Sequence, residues 1–479
     1  MTDMTETTRD ERLLEDLGRV HFIGVGGAGM SGIAHLMAAR GMTVTGSDQA
    51  DGDRLAELRS LGVTVHVGHA GEHVDGADTV VVSSAVHEDN PELARARALG
   101  LRVIHRSQAL AWLTRGHRVI AVAGAHGKST STGMLVTALR ELGEDPSFVC
   151  GAVISQLGTN AGWGGSDVFV IEADESDGSF LRYDTAGVLV TNIDTEHLDH
   201  YGSAQAIEDA FVRFLTAARE FSVVDVDDPL TRTILPRLGG CRRLVTFGED
   251  AGAGFRLTGF TPDGWHGLVT AEHDGQTVRV RSDLLGHHNA LNALGVTAVL
   301  VRLGHPFARA LEAAGHYRGT ARRFERRAVV DGITVVDDYA HHPTEVAAVL
   351  AAARDLVGDG RVLAVFEPHL YSRARDHADE FAAVFDRLAD FTVVTDICGA
   401  REVPIPGVDG AWLAGRFPRP ERVTHAGDWD RAIAEIVSRA RSGDLVLTLG
   451  VKLYPILPPL VAALRLAHPE AGRAADADA

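Results

Sequence analysis

The sequence of 479 residues predicts an α/β protein made of three domains in series. Three observations favour this fold class. Two glycine-rich loops each follow a short apolar, β-branched run and precede a segment with helical character, which is the strand–loop–helix pattern of parallel sheets. A third stretch of predicted strands alternating with helices begins near Arg322, and its strands end in polar residues. The chain is also too long for a single hydrophobic core.

The composition excludes several classes of protein. A net charge of −19, from 46 basic and 65 acidic residues, argues against a nucleic-acid partner. Three widely separated cysteines offer neither a disulfide framework nor the spacing of zinc ligands. The acidic N-terminus lacks the features of a signal peptide, and no apolar run approaches the roughly 20 residues of a membrane span. We therefore expect a cytoplasmic protein that acts on small molecules, as a monomer or weak homodimer.

The first predicted domain, residues 1–116, opens with a glycine motif. A strand over residues 20–25 leads into Gly24, Gly26 and Gly29, and a helix is expected from near Ser31. A second strand ends at Asp48, so an acid follows the glycines at about the distance of the dinucleotide-binding fingerprint. Taken alone, the motif favours NAD. Another nucleotide-like ligand stays open, because the glycines only let a pyrophosphate approach the backbone.

Further strands are expected in this domain over residues 63–67, 79–83 and 101–105. The second of these ends at Ser83 and Ser84. Polar residues at such a strand end face the edge where open α/β sheets bind ligands.

The second predicted domain, residues 117–321, begins with a phosphate-binding loop. A strand over residues 119–123 precedes it, and a helix over residues 131–142 follows it. Backbone N–H groups of such a loop point at one spot, which suits a phosphate. Lys128 adds a mobile charge, and the hydroxyl of Ser129 or Thr130 can hold Mg²⁺. The expected nucleotide-binding residues here are Gly124, Ala125, His126, Gly127, Lys128, Ser129 and Thr130.

Two strand ends after this loop carry acids and histidine. Glu172 opens an acidic run over residues 172–177, and His197 lies after a strand over residues 187–190. Carboxylate and imidazole groups beside a phosphate loop are what Mg²⁺–nucleotide chemistry requires, although an exposed acidic loop is the alternative interpretation. A small antiparallel insert is expected over residues 255–284. Beyond it, Asn289 and Asn292 lie on one helix face and either read an adenine edge or cap the helix.

The third predicted domain, residues 322–479, places polar clusters at two successive strand ends, which indicates a binding face. The residues concerned are Tyr339, His341, His369 and Arg373. The alanine- and aspartate-rich segment from residue 468 on is expected to be disordered.

These motifs together resemble the Mur ligase family. The residues that carry the resemblance are 21–32, 119–130, 172–177, 286–289, 322–325, 337–345 and 404–408, in the family's order. The members that the chain most resembles use ATP and Mg²⁺ to join L-alanine to the lactyl carboxylate of UDP-N-acetylmuramate, through an acyl phosphate. The resemblance thus implies a ligase of peptidoglycan synthesis with three domains, which bind UDP, ATP and the amino acid in that order.

The resemblance also implies a role for each candidate residue. UDP, not NAD, would bind at Gly24, Gly26, Gly27, Gly29, Asp48, Ser83 and Ser84. The catalytic residues would be Lys128, Glu172 and His197, and the metal ligands Ser129, Glu172 and His197. ATP would also contact Asn289, Asn292, Arg323 and Asp338. Alanine would bind at Tyr339, His341, His369 and Arg373.

The sequence departs from the family pattern at three places. Ala125 stands where relatives commonly carry Thr, Leu370 where an Arg is common, and residues 449–453 replace a Gly-Ala-Gly-Asp type loop. The first removes a hydroxyl near the phosphate, and the other two concern the selection of alanine.

Three alternatives compete with this interpretation. Within the family, a recycling ligase would join a preformed tripeptide to the same sugar nucleotide. Outside it, an NAD-dependent oxidoreductase would use residues 20–48, but it leaves the phosphate loop unexplained. The altered loop at residues 449–453 raises the third, a weakened binding protein.

Overall fold

The computed structural model describes residues 16–195, 198–283, 285–400 and 402–468, without the side chains of residues 198 and 199. Its strands form three sheets with helices between them, which confirms the expected α/β class. The chain divides into two compact units. One contains residues up to Gly259, Thr270–Val280 and Leu291–Arg318, and the other contains Phe260–Val269, Arg281–Ala290 and residues from Gly319 on. The expected domain boundaries near residues 116 and 321 stay predictions.

The first sheet has five parallel strands in the order β3-β2-β1-β4-β5. Its elements are β1 (Val20–Ile23), α1 (Ala28–Ala39), β2 (Val44–Asp48), α2 (Asp53–Ser60), β3 (Thr64–Val67), β4 (Thr79–Val82), α3 (Pro91–Ala98), β5 (Arg102–His105) and α4 (Arg106–Leu113). The strand order reverses at β1, so the crevice for a ligand lies at the carboxyl ends of β1 and β4. The glycine motif follows β1 at this edge.

The second sheet has ten strands in the order β15-β14-β13-β12-β11-β10-β6-β9-β7-β8. Its strands are β6 (Arg118–Ala123), β7 (Ser147–Ile154), β8 (Thr159–Gly162), β9 (Val168–Glu172), β10 (Gly187–Val190), β11 (Phe221–Asp225), β12 (Leu244–Gly248), β13 (Phe255–Asp263), β14 (His266–His273) and β15 (Gln276–Ser282). Strand β6 pairs in parallel with both β9 and β10. The polar residues after these three strands are therefore brought together at one edge.

Several helices connect or follow these strands, and the first of them follows the phosphate loop. They are α5 (Lys128–Glu141), α6 (Leu198–Tyr201), α7 (Ala204–Ala217), α8 (Pro229–Ile234), α9 (His287–Leu303) and α10 (Phe307–Gly315). The expected insert corresponds to β13–β15, whose two connections are only two residues long. Such short connections join antiparallel strands.

The third sheet has six strands in the order β16-β17-β21-β18-β19-β20. Strand β16 is antiparallel to β17, and the other neighbouring strands are parallel. Its elements are β16 (Glu325–Val330), β17 (Ile333–Asp338), α11 (Pro343–Val357), β18 (Val362–Phe366), α12 (Tyr371–Asp376), α13 (Ala378–Leu388), β19 (Phe391–Val394), α14 (Gly410–Ala414), β20 (Val423–His425), α15 (Trp429–Arg439), β21 (Leu445–Leu449) and α16 (Leu457–Ala467). Buried apolar side chains cover both faces of this sheet, as expected for a mainly parallel sheet with helices on each side. In the described part of the chain, no helix is both long and apolar enough to cross a membrane.

Helices α1 and α5 each begin three residues earlier than predicted, at residues 28 and 128 instead of 31 and 131. Their N-cap residues are Gly27 and Gly127, and neither end has a side-chain cap. Gly127 has φ +82°, a left-handed conformation that glycine adopts without steric cost. Consequently Lys128, Ser129 and Thr130 lie in the first turn of α5, where backbone N–H groups are free of intrahelical partners.

Asp225, the last residue of β11, is a buried carboxyl group whose titration affects stability. Burial raises its pKa to about 7. The backbone N–H of Asp227 donates to Oδ1 over 2.8 Å, and this hydrogen bond opposes the increase in pKa. The folded state therefore binds a proton that the unfolded state has lost. From about pH 4 to about pH 7, this group should lower the free energy of unfolding by about 2–4 kcal/mol. We expect Asp225→Asn to raise the melting temperature above pH 7, as measured by calorimetry.

The exposed Asp355 on α11 supplies the matched control for this prediction. Asp355→Asn should leave the dependence of melting temperature on pH unchanged. A melting curve of Asp225→Asn that keeps the wild-type pH dependence would contradict the assignment.

Candidate functional site

The phosphate loop is held by the end of the neighbouring strand β10. The hydroxyl of Thr191 donates to the carbonyl oxygen of His126 over 2.6 Å. The amide of Asn192 accepts from the His126 backbone N–H over 2.8 Å and donates to its carbonyl oxygen over 3.0 Å. Because β10 lies beside β6 in the sheet, these two side chains fix the loop from the side.

Lys128 is folded back onto this loop. Its ammonium group donates to the carbonyl oxygens of Gly124 over 2.6 Å and Ala125 over 3.1 Å. A third hydrogen bond of 2.7 Å reaches the carboxylate of Glu175. The structure therefore shows a lysine held by three oxygen atoms, and it must leave some of them to contact a phosphate.

The charge of Lys128 is secured by the acids that follow β9. Burial lowers the pKa of the ammonium group, but Glu175 and Asp174 more than offset this and raise it above its ordinary value. Burial raises the pKa of the Glu175 carboxyl group to about 7, although Lys128 opposes the shift. Glu175 is only 4% exposed, and its Oε2 has no hydrogen-bond partner among the described residues.

Ser129 and Glu172 form a pair of oxygen donors beside the lysine. The Ser129 hydroxyl donates to Glu172 Oε1 over 3.0 Å, and the backbone N–H of Gly151 donates to Oε2 over 2.6 Å. A hydroxyl next to a carboxylate is the donor set that Mg²⁺ prefers when a nucleotide supplies its remaining ligands. The pair therefore fits the metal expected from the sequence. The third expected ligand, His197, lies outside the described residues.

The glycine motif after β1 is organised by Asp48. Gly24 turns the chain with φ +78°, and the backbone N–H of Gly26 donates to Asp48 Oδ2 over 2.8 Å. A Cβ atom on Gly26 would lie 2.9 Å from that same oxygen, so only glycine fits there. Ser83 and Ser84 follow β4, and Ser84 is exposed. The structure thus brings these predicted residues to the edge where the strand order reverses.

A buried carboxylate that the sequence interpretation missed supports this edge. Glu92 is fully buried and accepts hydrogen bonds from Ser47 Oγ over 2.5 Å, His73 over 2.8 Å and His21 over 3.2 Å. Burial would raise its pKa, yet the hydrogen bonds from His21, Ser47 and His73 lower it to about 2. Because Ser47 directly precedes Asp48, Glu92 fixes the strand end that holds the glycine motif.

The two asparagines expected at adenine lie on helix α9. The amide nitrogen of Asn289 donates over 2.8 Å to the carbonyl oxygen of Leu285, two residues before the helix begins. The amide of Asn292 lies beside the phosphate loop, since a Cβ atom on Gly127 would be 2.9 Å from its Oδ1. Both roles that the sequence left open for these asparagines, at an adenine edge or at a helix end, stay predictions.

Arg323 and Asp338 lie close together in the C-terminal part of the chain. Both carboxylate oxygens of Asp338 accept backbone N–H groups, from Phe324 and Ala340, each over 2.7 Å. Burial raises the pKa of Asp338 to about 6, although Arg323 opposes the shift. The guanidinium of Arg323 lies 5.1 Å from the ring centre of Tyr339. Asp338 therefore shapes the backbone of this site in addition to any contact with a ligand.

The four residues expected at the amino acid are brought together. Two edge-to-face ring contacts link Tyr339 to His341 at 5.3 Å and His341 to His369 at 5.6 Å. Burial, together with His341 and Arg373, lowers the pKa of His369 to about 4. Burial also lowers the pKa of His341. Both imidazoles are therefore neutral at pH 7, so Arg373 is the cation that can pair with a carboxylate in this group.

Two of the departures from the family pattern, Leu370 and the loop at residues 449–453, lie near this group in the structure. Leu370, where relatives commonly carry Arg, has φ +70°, a conformation that costs energy for a residue with a Cβ atom. In the altered loop, the guanidinium of Arg322 donates to the carbonyl oxygens of Gly450 over 2.5 Å and Val451 over 2.6 Å. The backbone N–H of Lys452 donates to Glu367 over 3.0 Å. The changed sequence thus still forms a hydrogen-bonded loop.

Comparisons with known proteins agree with this arrangement. Three family models match the chain: "Mur ligase family, catalytic domain" over residues 19–118, "Mur ligase middle domain" over residues 122–300, and "Mur ligase, glutamate ligase domain" over residues 322–451. Together they span the three sheets.

Individual relatives are similar over nearly their whole length. A UDP-N-acetylmuramate–L-alanine ligase of Clavibacter sepedonicus is 53% identical over 450 residues, which is 94% of each chain. The crystal structure of a UDP-N-acetylmuramate–alanine ligase from Thermotoga maritima is 26% identical, with a TM-score of 0.81 over 94% of this chain and 99% of the other. A murein peptide ligase from Psychrobacter arcticus is 25% identical, with a TM-score of 0.71 over 93% and 98%.

Proposed function

The chain belongs to the Mur ligase family, and from this membership we propose that it joins L-alanine to UDP-N-acetylmuramate, with conversion of ATP to ADP and phosphate. The product is UDP-N-acetylmuramoyl-L-alanine, a precursor of peptidoglycan. The observation that carries the proposal is the grouping of Lys128, Ser129 and Glu172 at the carboxyl ends of two paired strands, in a chain 53% identical to a ligase of that name.

The chemical problem is that a carboxylate is a poor acyl donor. In the proposed reaction, the lactyl carboxylate oxygen attacks the γ-phosphorus of ATP, and the bond to ADP breaks. The amine of L-alanine then attacks the carbonyl carbon of the acyl phosphate. The tetrahedral intermediate expels phosphate, and the amine loses a proton. The protein's task is to neutralise phosphate charge and align the three reactants.

Lys128 performs the neutralising part of this task. Its ammonium group leaves the carbonyl oxygens of Gly124 and Ala125 and contacts the transferring phosphoryl group. Ser129 and Glu172, with His197, would hold Mg²⁺, which neutralises phosphate charge when it is bound. Glu175 retains the lysine until a phosphate takes its place, since an unpaired ammonium group in this buried position would be costly.

The remaining predicted residues are assigned by substrate, and these assignments are part of the proposal. UDP is bound by Gly24, Gly26, Gly27, Gly29, Asp48, Ser83 and Ser84. ATP is bound by the phosphate loop with Asn289, Asn292, Arg323 and Asp338. L-Alanine is bound by Tyr339, His341, His369 and Arg373, and Arg373 pairs with its carboxylate as a planar fork. The cytoplasmic location and the monomeric or weakly dimeric state stay predictions.

Two alternatives lose support. An NAD-dependent oxidoreductase does not account for family models that match all three parts of the chain. In the structure, moreover, the Asp48 carboxylate that would bind the ribose of NAD accepts the Gly26 N–H. A weakened binding protein does not account for the grouping of Lys128, Ser129 and Glu172.

The direct test supplies ATP, Mg²⁺ and UDP-N-acetylmuramate with one of four acceptors: L-alanine, L-serine, glycine or the tripeptide. Phosphate release is measured for each. We expect L-alanine to give the highest kcat/KM, and the tripeptide to give no release above the background without acceptor. The neutral imidazoles beside the Arg373 guanidinium suit a small amino acid with one carboxylate.

Turnover with the tripeptide alone would overturn the proposal in favour of the recycling ligase. An assay without the sugar nucleotide provides the control, because ATP hydrolysis that does not depend on it would indicate a different carboxylate substrate. Comparable rates with serine or glycine would contradict selection for alanine while leaving the reaction class intact.

A further inference from the structure

Arg106 is a partly buried cation at the ligand edge of the first sheet that the assignments above do not use. It is the first residue of α4 and directly follows β5. A Cβ atom on Gly29 would lie 3.4 Å from Arg106 Nη1, so the guanidinium group reaches the first turn of α1. Strand β4 lies between β5 and β1, so the side chain spans about 10 Å of sheet. Only a long side chain covers that distance.

The other end of the guanidinium group is held by the acids that follow β9. Nη2 donates to Asp174 over 2.8 Å and to Asp177 over 3.3 Å. These are the hydrogen bonds that the described residues make with this guanidinium, and both leave from Nη2. Asp174 and Asp177 raise the pKa of Arg106 above its ordinary value, although burial lowers it. The cation is therefore permanent, oriented and only 18% exposed in its side chain.

We propose that Arg106 binds the diphosphate of the sugar nucleotide through Nη1 at the N-terminus of α1, and that Asp174 and Asp177 hold it in position through Nη2. The inference rests on the proposed function, which puts UDP at the glycine motif. The free N–H groups and the dipole of α1 favour an anion at this point, and Arg106 adds a full positive charge to them.

The acids orient Arg106 without cancelling its attraction for a phosphate. They contact one side of the planar guanidinium, whereas the glycine motif faces another of its nitrogen atoms. Asp174 is also neutralised in part by Lys128, since both cations lower its pKa to about 2 against the effect of burial. The charge of one acid thus acts on both Arg106 and Lys128, and this links the expected UDP and ATP sites electrostatically.

The geometry requires arginine at this position. A lysine presents one point charge and cannot donate to the acids and to a phosphate from two separate nitrogen atoms. Arg106→Gln removes the charge, and Arg106→Lys keeps the charge but loses the fork. We expect both variants to weaken diphosphate binding, and the glutamine variant to weaken it more.

The experiment compares UDP with uridine, measured by calorimetric titration of the full chain. We expect Arg106→Gln to weaken UDP binding about 10- to 100-fold, and Arg106→Lys about 5- to 20-fold. Uridine binding should stay within about twofold of wild type for both, because uridine has no phosphate. In turnover, the KM for UDP-N-acetylmuramate should rise while kcat stays nearly unchanged.

A matched control comes from Arg102, an exposed residue at the opposite end of the same strand β5. Arg102→Gln should leave UDP binding unchanged. The melting temperature of each variant shows whether it folds. If Arg106→Gln fails to fold, Arg106→Lys decides the question, because it preserves the charge next to both acids.

The outcomes separate the two proposals. Unchanged UDP binding in both Arg106 variants, or an equal loss of UDP and uridine, overturns the role of Arg106. If the wild-type chain itself does not bind UDP, the proposed sugar-nucleotide site is wrong. A selective loss of UDP binding supports both.

Discussion

Replacing Lys128 with alanine is expected to lower turnover by about 1,000-fold or more while UDP binding stays within about twofold of wild type. The ammonium group is the cation on the first turn of α5, and the acids around it keep it charged. Its removal leaves the developing charge on the transferring phosphoryl group without this partner. Phosphate release with all three substrates measures the loss of turnover, and titration with UDP measures the second site.

The matched control is Arg140→Gln, which removes a cation from the last turn of the same helix. This variant should keep turnover within about twofold of wild type. An equal loss of turnover and of UDP binding in Lys128→Ala would show that the two sites are assigned to the wrong parts of the chain.

Replacing Gly124 with alanine is expected to abolish most of the turnover and to lower the free energy of unfolding by about 3 kcal/mol or more. Gly124 has φ +133°, which a residue with a Cβ atom rarely adopts. The added carbon would lie 2.3 Å from Thr191 Oγ1 and 2.9 Å from the carbonyl oxygen of Asn192. The loop or the end of β10 must shift, so the cradle for phosphate is lost. Thermal unfolding and phosphate release measure the two effects.

Gly143 gives the comparison for this substitution. It also has a positive φ, +90°, but a Cβ atom there would meet nothing within 4 Å. Gly143→Ala should therefore cost only about 1 kcal/mol and leave turnover unchanged. If both alanine variants behave alike, the clash with the end of β10 does not explain the glycine at position 124.

The strands before both glycine loops, and the loops themselves, could be predicted from local sequence, because an apolar run followed by glycine is a short-range signal. Strands β7, β8, β11 and β12 were not predicted. The helix starts could not be predicted either. Both α1 and α5 begin after a glycine without a side-chain cap, whereas the usual rule points to a serine or threonine. The predicted starts were near Ser31 and at Ser131. Glycine replaces the cap at both positions, where a phosphate approaching the helix end would take over its role.

The ion pairs that organise the site could not be predicted from the sequence, for a different reason. Glu175 lies 47 residues from Lys128, and Asp174 lies 68 residues from Arg106. No periodicity connects such positions. Lys128 and Glu175 meet because β6 and β9 pair in one sheet, whereas Arg106 and Asp174 follow strands of two different sheets. Glu175 lay within the acidic run noted in the sequence, and Thr191 within the strand end after β10. The sequence thus located both residues near the site, but only the three-dimensional fold shows which groups they contact.

The three-oxygen cage of Lys128 makes this side chain a reporter of its own loop. Lys128 and Lys452 are the only lysines in the sequence. An amine-selective reagent consequently has two side chains to modify, and Lys452 is exposed and serves as the internal reference. Acylation of Lys128 requires the cage to open, so the ratio of the two labelling rates, followed by mass spectrometry, measures the opening equilibrium in the unmutated protein. Titrating ATP into the same mixture then shows whether the nucleotide shields the amine or releases it.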